Sequence, residues 1–481
     1  MKGAAAFLIG TLLFVACGQK PGVSELPNGL EALGGLPAGA TVDPETGNVL
    51  DSEGNVIGNV GSSDSASGPL SGGGLDSSDA AGAASTSTAP DADASQAEGS
   101  DTDATGVGQG SIKIGAHAPL TGAAPVPSDS AHKGNSLYWE WLKEIKEPIH
   151  GRYVDAVLKN DNYNPSQAVA VCKEMVQQDR VFLLYGFAGT DQIQACARYS
   201  ASVGVPYVSV GVTETGLEGL PNYFAVSLSY AEQGSLLTDF LVTKLGAKGE
   251  RNGMLRFDTP NFQDAHDAFV TSMSRSGADV VYDRAVNKSA GQTEAQTVVQ
   301  EMKAQQLDNV YVLTSPVWFL QVLQAARTQD YTPQWVGVGI TKAIDTVTSV
   351  GCRNGTINRA KFFSPYPAWA DVDRFDPEFK KAIQAIYPEE GGGDDIMLIP
   401  WGIGKIIARL LEAAGPNLTR GGFIEHSERQ RNIKTEVYPP VTFSPSDHFG
   451  GTQVHVNEAQ CSGYKAGDNR WHTIQPFVSD F

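Results

Sequence analysis

From Ser111 onward, short apolar β-rich runs alternate with stretches in which apolar residues return at helical spacing. The run at 112–115 predicts a strand, and 130–146 predicts the helix that follows it. Next come a strand at 153–158 and a helix at 165–178, in which Ala168, Val169, Cys172, Met175 and Val176 fall on one face. Pro165 stands where a first-turn proline is tolerated. A strand at 181–185, a helix at 191–203 and a strand at 206–210 continue the pattern. A second series begins after Gln233, with helices at 235–245, 265–276, 293–305 and 317–328. Its strands are predicted at 254–257, 280–282, 310–314 and 335–338.

Strict alternation of this kind predicts an α/β fold with parallel sheets covered by helices on both faces. Two such series in succession predict two doubly wound, Rossmann-like lobes with a cleft between them. Residues 111–481 are enough for two domains of ordinary size. Ligands of such sheets bind beyond the carboxyl ends of the strands, so function is expected in the loops there.

Composition changes the picture only before Ser111. Residues 18–110 are dominated by Gly, Ser, Ala, Asp and Thr, with fourteen acidic residues against Lys20 alone. Most of the formal net charge of −19 therefore belongs to this segment. Low hydrophobicity with one-sided charge cannot offset the entropy of ordering, and a disordered linker is expected over 18–110. As a flexible coil it would reach roughly 50 Å. The Gly-Asn-Val triplets at 47–49, 54–56 and 58–60 are read as turn-rich coil, with a small hairpin as the alternative. The remainder is mildly acidic and has no basic stripe, which speaks against nucleic-acid binding.

At the very start, Lys2 precedes a brief apolar run from Ala4 to Val15, and Phe14-Val15-Ala16-Cys17 ends it. The run is too short to span a bilayer but has signal-peptide length. A cysteine directly after a small residue there resembles a bacterial lipobox. Residues 1–17 are accordingly read as a lipoprotein signal ending in a lipidated Cys17. This predicts an extracytoplasmic protein held at the bacterial cell membrane through its lipid alone.

Cys172, Cys196, Cys352 and Cys461 form an even set suited to an oxidising compartment. Cys172 and Cys196 lie on consecutive predicted helices flanking one strand, so pairing them leaves Cys352 for Cys461. Three connectivities remain possible from sequence. No Gly-x-Ser-x-Gly, His-Glu-x-x-His or complete phosphate loop occurs, since Gly404-Lys405 is followed by Ile406. No enzyme activity, metal or cofactor is expected. His448 and His455 are read as solvated surface. Glu389, Glu390, Asp394 and Asp395, around Gly391-Gly392-Gly393, are read as an exposed turn.

Four segments carry a family resemblance: 164–170 (Asn-Pro-Ser-Gln-Ala-Val-Ala), 185–190 (Tyr-Gly-Phe-Ala-Gly-Thr), 205–209 (Val-Pro-Tyr-Val-Ser) and Gln233-Gly234. In this order, and after the opening 112–122, they resemble the leucine/isoleucine/valine-binding family. These are type I periplasmic-type substrate-binding proteins of ABC importers. The resemblance implies lobe 1 over 111–229 plus 343–440 and lobe 2 over 230–342 plus 441–481, joined by three crossovers. It implies a small-molecule ligand, delivery to ABC permease subunits, and a monomer. It also implies ligand contacts from Ala188, Gly189 and Thr190 after the third strand and from Val212 and Thr213 after the fourth. Tyr230, Phe262 and Trp318 stand at the family's lobe-2 ligand positions. Tyr230 and Gly339 occupy the places where amino-acid binders carry carboxylates for the ligand's ammonium. Glu214 and Glu232 are the substitutes in reach. An amide or small carboxylate with an apolar or aromatic body is therefore expected in place of a simple branched-chain amino acid. The same fold also serves as ligand-sensing receptor domains, so sensing for a separate signalling partner is the alternative.

If Cys17 carries the lipid, Cys17→Ser should move the protein from the membrane fraction to the soluble one. Membrane partitioning equal to wild type would place the anchor elsewhere.

Overall fold

The structure, a computed structural model, describes residues 41–42, 48–50, 56–59, 102–338, 344–465 and 470–481. Cys17 and Gly339 lie outside them. Thr41–Val42 (β1), Asn48–Leu50 (β2) and Val56–Asn59 (β3) pair as a small antiparallel sheet. The Gly-Asn-Val triplets thus supply ladder residues where coil was expected. Val49 and Val56 have the β-branched shape that favours a strand.

The first lobe is built on a five-stranded, wholly parallel sheet in the order β5-β4-β6-β7-β8. Its strands are β4 (Ser111–Ala118), β5 (Tyr153–Asn160), β6 (Leu183–Gly186), β7 (Tyr207–Ser209) and β8 (Tyr223–Ala225). Between them run α1 (Ser128–Glu144), α2 (Pro165–Gln177) and α3 (Thr190–Ser202). Asn164 caps α2 by accepting from the amides of Ser166 and Gln167, with Pro165 at the first helical position. Ile112, Ile114, Leu183, Leu184, Val208 and Phe224 are fully buried, as both faces of a parallel sheet require.

The second lobe holds a seven-stranded sheet in the order β10-β9-β11-β12-β13-β14-β15. It begins with α4 (Tyr230–Lys244), β9 (Asn252–Phe257), α5 (Gln263–Arg275) and β10 (Val280–Val286). It continues through α6 (Gln292–Ala304), β11 (Asn309–Leu313), α7 (Pro316–Thr328), β12 (Gln334–Val338) and α8 (Ile344–Asn354) to β13 (Lys361–Ser364). The chain then forms α9 (Val372–Phe375), α10 (Pro377–Ile386), α11 (Asp395–Ala414) and α12 (Arg420–Ser427), before β14 (Val454–Ala459) and β15 (Trp471–Val478). A capping box of Ser229 and Glu232 starts α4, and Ser315 caps α7.

Two expected lobe boundaries move. β13 pairs with β12 in the second sheet, so the second crossover follows Ser364 and not residue 342. The four-residue strand is too short to show a period. The third crossover also falls later than 440, because Phe449 bridges Ala225 at the edge of the first sheet. Within lobe 1, the Asp376 carboxylate accepts from Lys405 at 2.7 Å and from the Trp401 indole at 2.8 Å, tying α10 to α11. The lysine of Gly404-Lys405 is thus spent on a buried ion pair.

Cys172 on α2 pairs with Cys196 on α3, and Cys352 on α8 pairs with Cys461 after β14. His455 is fully buried, with Nε2 at 3.2 Å from the Val437 carbonyl, and His448 stacks on Phe224 with ring centroids 4.4 Å apart. Both are packed, contrary to the solvated reading. Asp394 caps α11 and Asp395 is fully buried, so only part of the acidic turn is exposed.

The linker ends earlier than Ser111. Arg420 is buried and donates to the Phe182 and Val181 carbonyls, and its third contact is the Asp103 carboxylate at 2.7 Å. Gly106, at φ +86°, lets the chain lie on 180–182, where a Cβ would meet the Phe182 amide at 2.4 Å. Burial alone would raise the Asp103 carboxyl, but bonds from Thr105 and the Arg420 charge hold it below its ordinary value. Its contribution is therefore present above that ordinary value and fades as pH falls through the lowered one.

A chain starting at Ser111 should be less stable than one starting at Thr102 by about 1–3 kcal/mol, because a buried guanidinium loses its acceptor. Asp103→Asn should account for part of that loss. Equal thermal midpoints for the two truncations would show that Asp103 contributes nothing.

Candidate ligand-binding site

Parallel strands end on one side of each sheet, so the loops after β6 and β7 face the second lobe across a cleft. A partly open pocket lies there. Its lobe-1 wall is Phe187, Ala188, Gly189, Thr190 and Ile193 from the β6–α3 turn, with Val210, Gly211 and Val212 after β7. Ser227, Tyr230, Gln233, Pro365 and Tyr366 line it near the crossovers, and Ile399 of α11 also reaches it. The wall is mainly apolar. Polar groups stand at its margin, where Thr190 opens α3 and its helix start favours an anion or carbonyl oxygen.

Two amides sharpen the polarity. Gln233 donates from Nε2 to the Leu228 carbonyl at 2.8 Å, and its buried Oε1 has no partner among the described residues. Both amide atoms of Gln192, packed against Gly189, are likewise buried without a partner among the described residues. Buried polar atoms are nearly always satisfied, so an unpaired acceptor on a pocket wall suits a ligand donor. The Tyr230 phenol is pushed far up by burial and stays protonated at neutral pH.

Behind the pocket, His117 bonds Asp161 through Nδ1 at 2.8 Å and the Tyr207 hydroxyl through Nε2 at 2.6 Å, all three fully buried. His117, Cys172 and Cys196 bring ligand-type atoms within 4.8 Å of one another. The sulfurs are spent on their disulfide and the ring nitrogens on Asp161 and Tyr207, which leaves neither a thiolate nor an unengaged ring nitrogen for an ion.

Of the residues singled out from sequence, Ala188, Gly189, Thr190, Val212 and Tyr230 come together on the pocket wall. Thr213, Phe262 and Trp318 do not. Thr213 is fully buried and donates its hydroxyl to Asp264 of lobe 2. Phe262 packs edge-on against Tyr230 at 5.8 Å, behind the wall. Trp318 sits in the first turn of α7, with its amide on Ser315 and its ring 5.6 Å from Phe257. Glu214 accepts from the Ser229 hydroxyl at 2.6 Å and Glu232 from the Ser229 amide at 2.7 Å, so both serve the cap of α4. Gln233, Ser227 and Ile399 were missed as wall residues. Gln233 carried a signal through its motif, whereas Ile399 lies some 170 residues beyond the wall it completes.

Residues 111–466 match the family described as Periplasmic binding protein. The chain belongs to this family. Among periplasmic binding proteins, an "Amino acid binding protein" of Pseudomonas aeruginosa is 27% identical over 241 residues. That stretch covers 42% of this chain and 61% of the relative, less than two thirds of its length. A fatty acid ABC transporter substrate-binding protein from Thermomonospora curvata superposes at TM-score 0.65 with 18% identity, covering 80% of this chain and 95% of that one. The branched-chain amino acid binding protein LivJ of Streptococcus pneumoniae, solved with isoleucine, gives TM-score 0.62 and 18% identity, over 76% of this chain and all of that one (100%). At such identity these structures show the shared two-lobed fold. No helix among the described residues is long and apolar enough to cross a membrane.

The wall is tightest at Gly211, where a Cβ would meet the Ser227 carbonyl oxygen at 2.3 Å and that of Leu228 at 2.8 Å. Gly211→Ala should therefore lower stability by about 1–3 kcal/mol through overpacking. An unchanged denaturation midpoint would mean that the crossover yields freely.

Proposed function

We propose that this protein captures a small, largely apolar solute outside the cytoplasm and presents it to an ABC importer while tethered through Cys17. The pocket between the lobes carries this reading: an apolar wall closed by Ile193, Val212 and Ile399, with polar side chains limited to Thr190, Ser227, Gln233 and the phenols of Tyr230 and Tyr366. Such a site suits an aliphatic or aromatic body bearing one amide, carbonyl or carboxylate group. Its polar end would meet the start of α3, and any donor it carries would meet Gln233 Oε1. No carboxylate stands among the lining residues, Glu214 and Glu232 included, which favours an amide or acid over a zwitterionic amino acid. The family context supports binding without chemistry on the solute. The 18–101 segment would hold a monomer clear of the membrane.

A thermal-shift screen of the full chain against amino acids, their amides, fatty acids and aromatic acids should yield a stabilising ligand. Calorimetry on Thr190→Val should then show an affinity about ten- to a hundredfold lower, the effect of losing one hydroxyl bond to a charged group. No stabilisation by any probe, or unchanged affinity in folded Thr190→Val, would refute this placement of the solute.

A further inference from the structure

Lobe 2 places a carboxylate of its own on the lobe-1 loop that follows β7. Asp264, in the first turn of α5, accepts the Thr213 hydroxyl and the Thr215 amide (3.0 Å) on Oδ2. On Oδ1 it accepts the Thr215 hydroxyl at 2.7 Å. Two hydroxyls and one backbone N–H converging on both oxygens form a charge-assisted set of the kind that binds a free carboxylate. The start of α5 further favours the negative charge. Burial would raise the Asp264 carboxyl, but the bonds from Thr213 and Thr215 outweigh it and hold the group ionised at neutral pH.

The mirror-image contact stands beside it. Asp191, in the first turn of α3, accepts from Lys288 at 3.1 Å and from the Asn261 amide, both of lobe 2. Lys288 also lies over the Tyr163 ring at 5.8 Å. The cleft mouth is thus crossed by two carboxylates running in opposite directions. Each one stands in the first turn of its helix, and α3 also lines the pocket.

We propose that Asp264 is a built-in occupant of the Thr213–Thr215 donors, which latches the lobes together without solute and excludes a solute carboxylate from that loop. The exclusion half rests on the solute-binding reading above, whereas the latch does not. A second carboxylate at Thr213 would have to displace Asp264 or share its donors, and like charges at that distance repel. The solute's polar group is thereby directed to the other end of the wall, at Thr190 and Gln233. Asp264 becomes a residue that selects the solute as well as one that closes the cleft.

The test uses the full chain without added solute, spin-labelled at Ser202→Cys in lobe 1 and Ser274→Cys in lobe 2. Pulsed dipolar distances should show one main population in the parent. Asp264→Ala and, separately, the exposed-site variant Thr215→Val should shift it by several ångströms or broaden it. Identical distributions in the parent and both folded variants would overturn the latch. Calorimetry with leucine and with benzoate reads the exclusion: at least one should bind Asp264→Ala tenfold more tightly than wild type. No gain for either probe overturns it. A distance response with no ligand found in any screen would sink the solute-binding reading and leave the latch standing. A ligand that depends on Thr190, with unmoved distances, would do the reverse.

Discussion

The chain passes between its two sheets three times, and the passages are packed on one another without room for a side chain. A Cβ on Gly451 would stand 1.9 Å from the Leu228 amide, and one on Gly211 would run into the Ser227 carbonyl. The Gly211 amide bonds the Ser227 hydroxyl at 2.9 Å, which fixes the turn after β7 to the first crossover. Pro365 and Tyr366 of the second crossover line the same pocket. The hinge and the pocket floor are therefore one assembly, and any movement of the lobes changes the shape of the site.

Of two ion pairs in lobe 1, one joins two late helices and the other ties the start of the folded domain to its late part. Asp376 with Lys405 fastens α10 to α11, and Asp103 with Arg420 fastens the segment before β4 to α12. Buried pairs of this kind contribute little net stability against an apolar alternative, but removing one partner strands the other. Their effect here is on placement. Asp376 with Lys405 fixes α10 on α11, the helix that carries Ile399, and Arg420 with Asp103 brings the folded domain's beginning back onto its own sheet.

The site that results combines an apolar wall with polar atoms gathered at its edges, as small-molecule pockets generally do. The lobes meet across its mouth through Asp264 and Asp191, whose partners are hydroxyls, an amide and Lys288. Polar closure of a largely apolar site separates two tasks: burial supplies affinity for the solute body, and directional bonds decide which polar groups fit.

The local rules of the chain were enough for most of its elements between 111 and 338. Alternating period-2 and period-3.6 patterns marked strands and helices from 111 to 338, and the loops after β6 and β7 fell where carboxyl ends of parallel strands must point. The pairing of Cys172 with Cys196 followed from neighbouring helices, whereas Ala188, Gly189, Thr190 and Val212, which stand on the pocket wall, were pointed to by the family resemblance. Tertiary structure alone decided the rest. β13 is four residues long and has no visible period, so its sheet was settled by pairing with β12 and β14. Whether Thr213 faced solute or Asp264, whether Trp318 lined the pocket or packed on Phe257, and where Ile399 ended up all depend on contacts between residues 50 to more than 200 positions apart. Periodicity reports which face of an element is buried. It carries no information about which distant element does the burying.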